Sequence, residues 1–169
     1  MTKIQLFSKE NQMAKKQATN ILSLIEAEHR QVEQLFSEAE KSQGKKLYEC
    51  FNQIYLALNL HARTEELVFY PVMREYEETE QYVEEAEEEH EDVSALLEEI
   101  KELQPTAPEF QEKLSELQQA VQHHVQEEES EIFDAVRECM SDEELTKLAS
   151  KFQEAKAKLE EDVKAAMAM

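Results

Sequence analysis

The sequence predicts an all-α fold: an up-down-up-down antiparallel four-helix bundle with a short N-terminal arm and an additional C-terminal helix. Three observations carry this. The 169 residues include one glycine and three prolines, too few turn residues for a many-stranded protein. Apolar residues recur in steps of three and four, as one face of a helix requires. The breaks between these stripes are short, so consecutive helices should run antiparallel. Hydrophobic residues make up 41% of the chain, enough to fill one packed core.

Residues 1–19 are mixed and weakly periodic and read as an arm. The bundle is expected over 20–140. Its first stripe begins near Asn20 and comprises Leu22, Ile25, His29, Val32 and Phe36. It fades into KSQGKK, where Gly44 marks a turn. The second stripe is Leu47, Phe51, Ile54, Leu58, His61 and Glu65, and Pro71 is expected to end or kink that helix. The third is Val83, Ala86, His90, Val93, Leu97 and Ile100, stopping at QPTAPE. There Thr106 and Glu109 have capping-box spacing and should open the fourth helix. The fourth stripe is Phe110, Leu114, Leu117, Val121, His124 and Glu128. The last segment, 141–169, reads as an amphipathic helix. Ser141 and Glu144 have capping-box spacing, and its stripe is Leu145, Leu148, Phe152, Leu159 and Val163. This helix should pack across the bundle or serve a protein partner.

The net charge of −21 argues against nucleic acid and against anionic membrane surfaces as partners. Most of the acid excess reads as solvated helix faces, with a field that attracts cations. The opening MTKIQLFSKENQMAKK has no apolar signal region, and no run reaches the length of a membrane span. A soluble, cytoplasmic protein is expected. Cys50 and Cys139 have no CxxC or zinc spacing and read as free thiols. In the expected topology they lie 26 residues apart along the bundle axis, roughly 39 Å, too far for a disulfide.

The stripes also repeat. EHRQVEQLF (28–36) parallels EHEDVSALL (89–97), and the stripe ending in His61 and Glu65 parallels the one ending in His124 and Glu128, shifted by 63 residues. Each half is a helix with one histidine followed by a helix with HxxxE. His29, His61, Glu65, His90, His124 and Glu128 therefore occupy positions whose neighbours are core. A buried, unpaired glutamate is costly. Two facing each other repel, so one stays protonated. Divalent cations remove both problems, with imidazoles as neutral ligands. Two adjacent ions fit six such ligands well, with both glutamates bridging. By helix pairing His29 and His61 would hold one ion, and His90 and His124 the other. The mixed donor set, with positions left open, suits iron better than a closed structural zinc site.

The set His29, His61–Glu65, His90 and His124–Glu128, with EELVFYP after His61, resembles the hemerythrin-like HHE cation-binding domain over roughly residues 20–140. The resemblance implies a non-haem centre of two iron ions per chain with a bridging oxygen, meeting O2 or related small oxidants such as peroxide or nitric oxide. Zinc or manganese could substitute. Oxygen-carrying members have a further histidine one turn before the third-helix ligand. Here that position is Ala86, which implies an exchangeable position on each ion and leaves room for oxidative chemistry.

Glu26 and Glu87 each precede a site histidine by three residues, and Glu66 and Glu129 follow the two site glutamates. All four read as residues outside the ligand set, supporting it or facing solvent. His123 stands where the first half has Leu60 and reads as a flank residue. Tyr48, Tyr55 and Tyr70 lie near the ligand-bearing stripes. Three functions follow as expectations: a di-iron protein that binds or senses small oxidants or handles iron, a di-iron peroxidase or oxidase, or an acidic helical interaction module with a zinc-filled or incidental site.

Overall fold

Asn20 sets the start of α1 (Ile21–Glu40): its backbone is extended and its Oδ1 accepts from the Leu22 N–H at 2.8 Å, satisfying one orphan donor of the first turn. A computed structural model describes residues 20–168, and the arm expected over 1–19 lies outside the described residues. Gly44, at φ +58°, has the only positive φ among the described residues and opens α2 (Gly44–Thr64). A side chain at that φ would be strained, and glycine avoids the strain.

Pro71 does not end the second bundle helix. Glu65–Phe69 form a π turn in which the Tyr70 N–H donates to the Glu65 carbonyl, and the helix resumes as α3 (Tyr70–Met73), which contains Pro71. The wider turn lets the chain continue through a residue that has no N–H to give. The third helix is α4 (Glu77–Lys101). The fourth, α5 (Pro108–Glu127), is capped by Ala107 without a side-chain bond, so the expected Thr106 box is not formed. Pro108 in the first turn has its φ fixed for helix and moves the start past Thr106. A second π turn, Glu128–Ile132, repeats the first, with the Phe133 N–H donating to the Glu128 carbonyl, and leads into α6 (Phe133–Cys139). Finally comes α7 (Asp142–Ala168). Its Glu144 N–H donates to Ser141 Oγ at 3.2 Å. The Glu144 carboxylate accepts from the Tyr76 hydroxyl at 2.6 Å, which ties α7 to the bundle.

The architecture is the four-helix bundle with a fifth helix laid on it. α7 packs against α1, α2 and the first π turn. Leu145, Leu148, Phe152 and Val163 are buried there, so the bundle itself covers most of the apolar stripe.

The buried side chains form two clusters rather than one. One holds Ile21, Ile25, Phe69, Tyr70, Val83, Phe133 and the α7 residues Leu145, Leu148 and Phe152. The other holds Val32, Phe36, Phe51, Ile54, Leu58, Leu97, Phe110, Leu117 and Val121. In each bundle helix the change of cluster falls at a site residue: His29 lies between Ile25 and Val32, and His90 between Ala86 and Leu97. A polar layer divides the core. Cys50 and Cys139 lie with opposite clusters, and both are free thiols.

Candidate metal centre

All six residues expected in the site are buried in that layer, and both glutamates are 0% exposed. The donor atoms of His29, His61 and Glu128 lie within 4.8 Å of one another, and so do those of Glu65, His90 and His124. The histidines pair as helix packing requires. The His29 and His61 rings are 4.8 Å apart at 62°, and His90 and His124 are 4.8 Å apart at 64°. The glutamates reach across the pairs. His29 Nε2 is 3.1 Å from Glu128 Oε1, and His90 Nε2 is 3.6 Å from Glu65 Oε1. Glu65 also approaches His61 Nε2 at 2.6 Å, and Glu128 approaches His124 Nε2 at 3.4 Å.

Each histidine is oriented from behind by a glutamate of a neighbouring helix. Nδ1 of His61 meets Glu28 at 2.8 Å, that of His90 meets Glu66 at 3.0 Å, that of His124 meets Glu89 at 2.9 Å and that of His29 meets Glu129 at 3.1 Å. An ionised carboxylate can only accept, so each Nδ1 carries a proton, which leaves Nε2 as the atom that faces inward and can bind a metal. His29 Nε2 and His61 Nε2 face each other at 3.2 Å. Both oxygens of Glu65, Oε1 of Glu128 and Nε2 of His124 are buried without a hydrogen-bond partner. A buried centre this rich in lone pairs and poor in donors calls for cations.

Protons supply part of that charge when no metal does. Burial, then the Glu128 charge, pushes the Glu65 carboxyl well above the usual range. Burial opposes ionisation of Glu128 too, but the His124 charge and the close approach of His124, His29 and Glu65 hold it well below. The pair therefore shares one proton, held toward Glu65. His124 is raised, burial being outweighed by Glu128, whereas burial lowers His90.

The two halves differ at one further position. Tyr70, fully buried, follows the first π turn, and the second half has Phe133 in its place. The Tyr70 hydroxyl donates to Glu128 Oε2 at 3.2 Å and lies 3.2 Å from His90 Nε2. Burial, then the Glu65 and Glu128 charges, raises its pKa strongly, so it keeps its proton. Phe133, its counterpart in the second half, has no hydroxyl to offer. A cavity of about 30 Å³ adjoins the four histidines, walled by Val32, Leu58, Val93, Val121 and Val125 among others.

Sequence reasoning missed Glu28 and Glu89. Their signal was the dipeptide EH that opens both repeated segments. Glu66 and Glu129 take the supporting position. Glu87 instead pairs with Arg74 at the surface, and Glu26 belongs to neither three-ligand group.

Such a layer defines a helical-bundle protein with a buried histidine–carboxylate site suited to metal. The chain belongs to the hemerythrin HHE cation-binding domain family, which matches residues 20–136. It is 38% identical over 147 residues to a protein of Nostoc sp. (strain PCC 7120) named DNA nickase, covering 86% of this chain and 42% of that protein. It is 31% identical over 107 residues to an uncharacterised hemerythrin-like protein of Schizosaccharomyces pombe, covering 62% of this chain and 53% of that one. The chain thus spans about half the length, or less, of these two relatives. No solved structure matches it at a significant level.

Proposed function

We propose that this chain is a non-haem di-iron protein that binds or senses O2, peroxide or nitric oxide, with His29, His61, Glu65, His90, His124 and Glu128 as its ligands. The observation that carries this reading is the convergence of inward Nε2 atoms and partnerless carboxylate oxygens in one buried layer. Mixed imidazole and carboxylate donors suit iron, which supplies one-electron chemistry toward oxygen when bound. The protein's own part is to fix the histidine tautomers through Glu28, Glu66, Glu89 and Glu129. It also holds a hydroxyl proton at Tyr70 and limits access. A cavity of about 30 Å³ takes a diatomic or water-sized molecule and excludes an organic substrate. Iron-supplemented protein is expected to hold about two irons per chain and to show near-UV charge-transfer bands. Iron-free, colourless protein from the same preparation would overturn the proposal.

A second reading is a di-iron peroxidase or oxidase. The Tyr70 hydroxyl favours it, because it reaches one residue of each three-ligand group, Glu128 and His90, and its counterpart Phe133 has no hydroxyl. Sustained peroxide turnover with a reductant, lost in Glu65→Ala, would establish it. Oxidation that stops after one equivalent would return the reading to sensing or iron handling. Among the described residues no helix is long and apolar enough to cross a membrane, and the free thiols fit a reducing, cytoplasmic setting. The name of the Nostoc relative raises DNA as a substrate, which the net charge of −21 opposes. Iron-loaded protein should leave supercoiled plasmid intact. Nicking that disappears in His61→Ala would reverse that expectation.

A further inference from the structure

The second half of the chain carries a ligand pair that the first half lacks. Shifted by 63 residues, His123 and Glu127 match Leu60 and Thr64. In the first half those positions are closed: Leu60 is buried, and the Thr64 hydroxyl donates to the Leu60 carbonyl at 2.5 Å. In the second half they make another HxxxE, one residue before His124 and Glu128 and so turned by about 100° away from the buried layer. His123 is 65% exposed. Its Nε2 lies 3.1 Å from Glu127 Oε1 and 3.3 Å from Glu89 Oε2. Donor atoms of the three residues lie within 4.8 Å of one another.

Comparison of the halves shows what this cluster is missing. Glu28 precedes His29 as Glu89 precedes His90. Glu28 gives Oε1 to His61, and its outer oxygen, Oε2, accepts from Lys156 at 3.0 Å. Glu89 likewise gives Oε1 to His124 at 2.9 Å. Its outer oxygen meets His123, and the Glu127 carboxylate also comes within hydrogen-bonding reach of Glu89. Among the described residues no lysine or arginine pairs with Glu89 or Glu127. A carboxylate that is neutralised by a permanent cation in one half thus faces an imidazole and a second carboxylate in the other. All three groups are metal donors, and none of them carries a permanent positive charge. One histidine and two carboxylates leave solvent positions open, as in exchangeable rather than structural sites.

We propose that His123, Glu127 and Glu89 form a second, solvent-open site for a divalent transition-metal ion, and that Glu89, shared with His124, makes it the loading position for the buried centre. The loading role rests on the di-iron reading, and the binding site does not.

The test uses the full chain and a His123→Leu, Glu127→Thr variant, which installs the pair found in the first half. Zn2+ titrated against a competing chelator should give three ions per wild-type chain and two per variant. The His123 ring resonances should broaden when Co2+ is added to wild type. Under limiting free Fe2+, the variant should develop its near-UV band several-fold more slowly but reach the same final intensity. An unchanged Zn2+ count with an unbroadened His123 ring would overturn the outer site. A lower count with an unchanged loading rate would overturn its loading role. His61→Ala serves as the separating control. If it keeps a single Zn2+ that the His123→Leu, Glu127→Thr changes then remove, the outer site stands whatever becomes of the buried one. If the wild type binds one Zn2+ and the variant none, the outer site again stands and the di-iron reading fails.

Discussion

At the scale of single residues, the site has two tiers with different expected costs. His61→Ala or Glu65→Ala removes a donor from the buried layer and should abolish the near-UV band and lower iron content. Glu28→Gln and Glu89→Gln leave all six buried donors in place but weaken the contact that sets a histidine's tautomer. Metal affinity should fall by about 10- to 100-fold, read by chelator competition, while the unloaded fold is retained. Tyr70→Phe should keep the metal count and shift the charge-transfer band, because Glu128 loses a donor and His90 a neighbouring hydroxyl. A band identical to wild type would show that Tyr70 only packs. The six candidate ligands, and their meeting in one layer, were legible because each interrupts an apolar stripe at the same place in both halves. The supporting glutamates were harder to see. Glutamate beside histidine is common on acidic helices, and only the neighbouring helix shows which of them meets a ring.

Elements were read less evenly. The stripes located the bundle helices because burial on one face demands their period. The π turns went unread, since an extra residue per turn leaves composition unchanged. A trace was present: His61, Glu65, Phe69 and Met73 step by four three times running, as do His124, Glu128, Ile132 and Val136. On a regular α-helix such a series drifts by roughly 120°. The π turn absorbs that drift and keeps Phe69, Met73, Ile132 and Val136 in the core. α7 is a structural part of the bundle: Phe152 is 1% exposed and packs in the cluster with Ile21, Phe69 and Phe133, on one side of the polar layer. Phe152→Ala should cost about 3–5 kcal/mol, measured by urea denaturation. A loss under 1 kcal/mol would mean that α7 is only loosely held.

Across the whole molecule, metal binding and folding are linked. The buried layer favours cations only when assembled, so chelation should lower Tm. Binding should also release protons. Glu65 holds one above its ordinary 4.5, and His124 holds one above its ordinary 6.5. Both must leave before a cation can take their place, so affinity should rise with pH across that range. Calorimetry in buffers of different ionisation enthalpy should detect the release, and a pH-independent affinity would contradict this account.

The exchange of glutamates between the halves has a consequence for how small the binding unit can be. The first helical hairpin contributes His29 and His61, whose carboxylate, Glu128, comes from the second; the second contributes His90 and His124, whose carboxylate, Glu65, comes from the first. Neither hairpin can complete a three-ligand position alone. Two copies of a single hairpin related by a two-fold axis would complete both, each lending its glutamate to the other. The chain has the form of a symmetric dimer fused into one polypeptide. The two halves are nonetheless not identical: Tyr70 stands opposite Phe133, and His123 opposite Leu60.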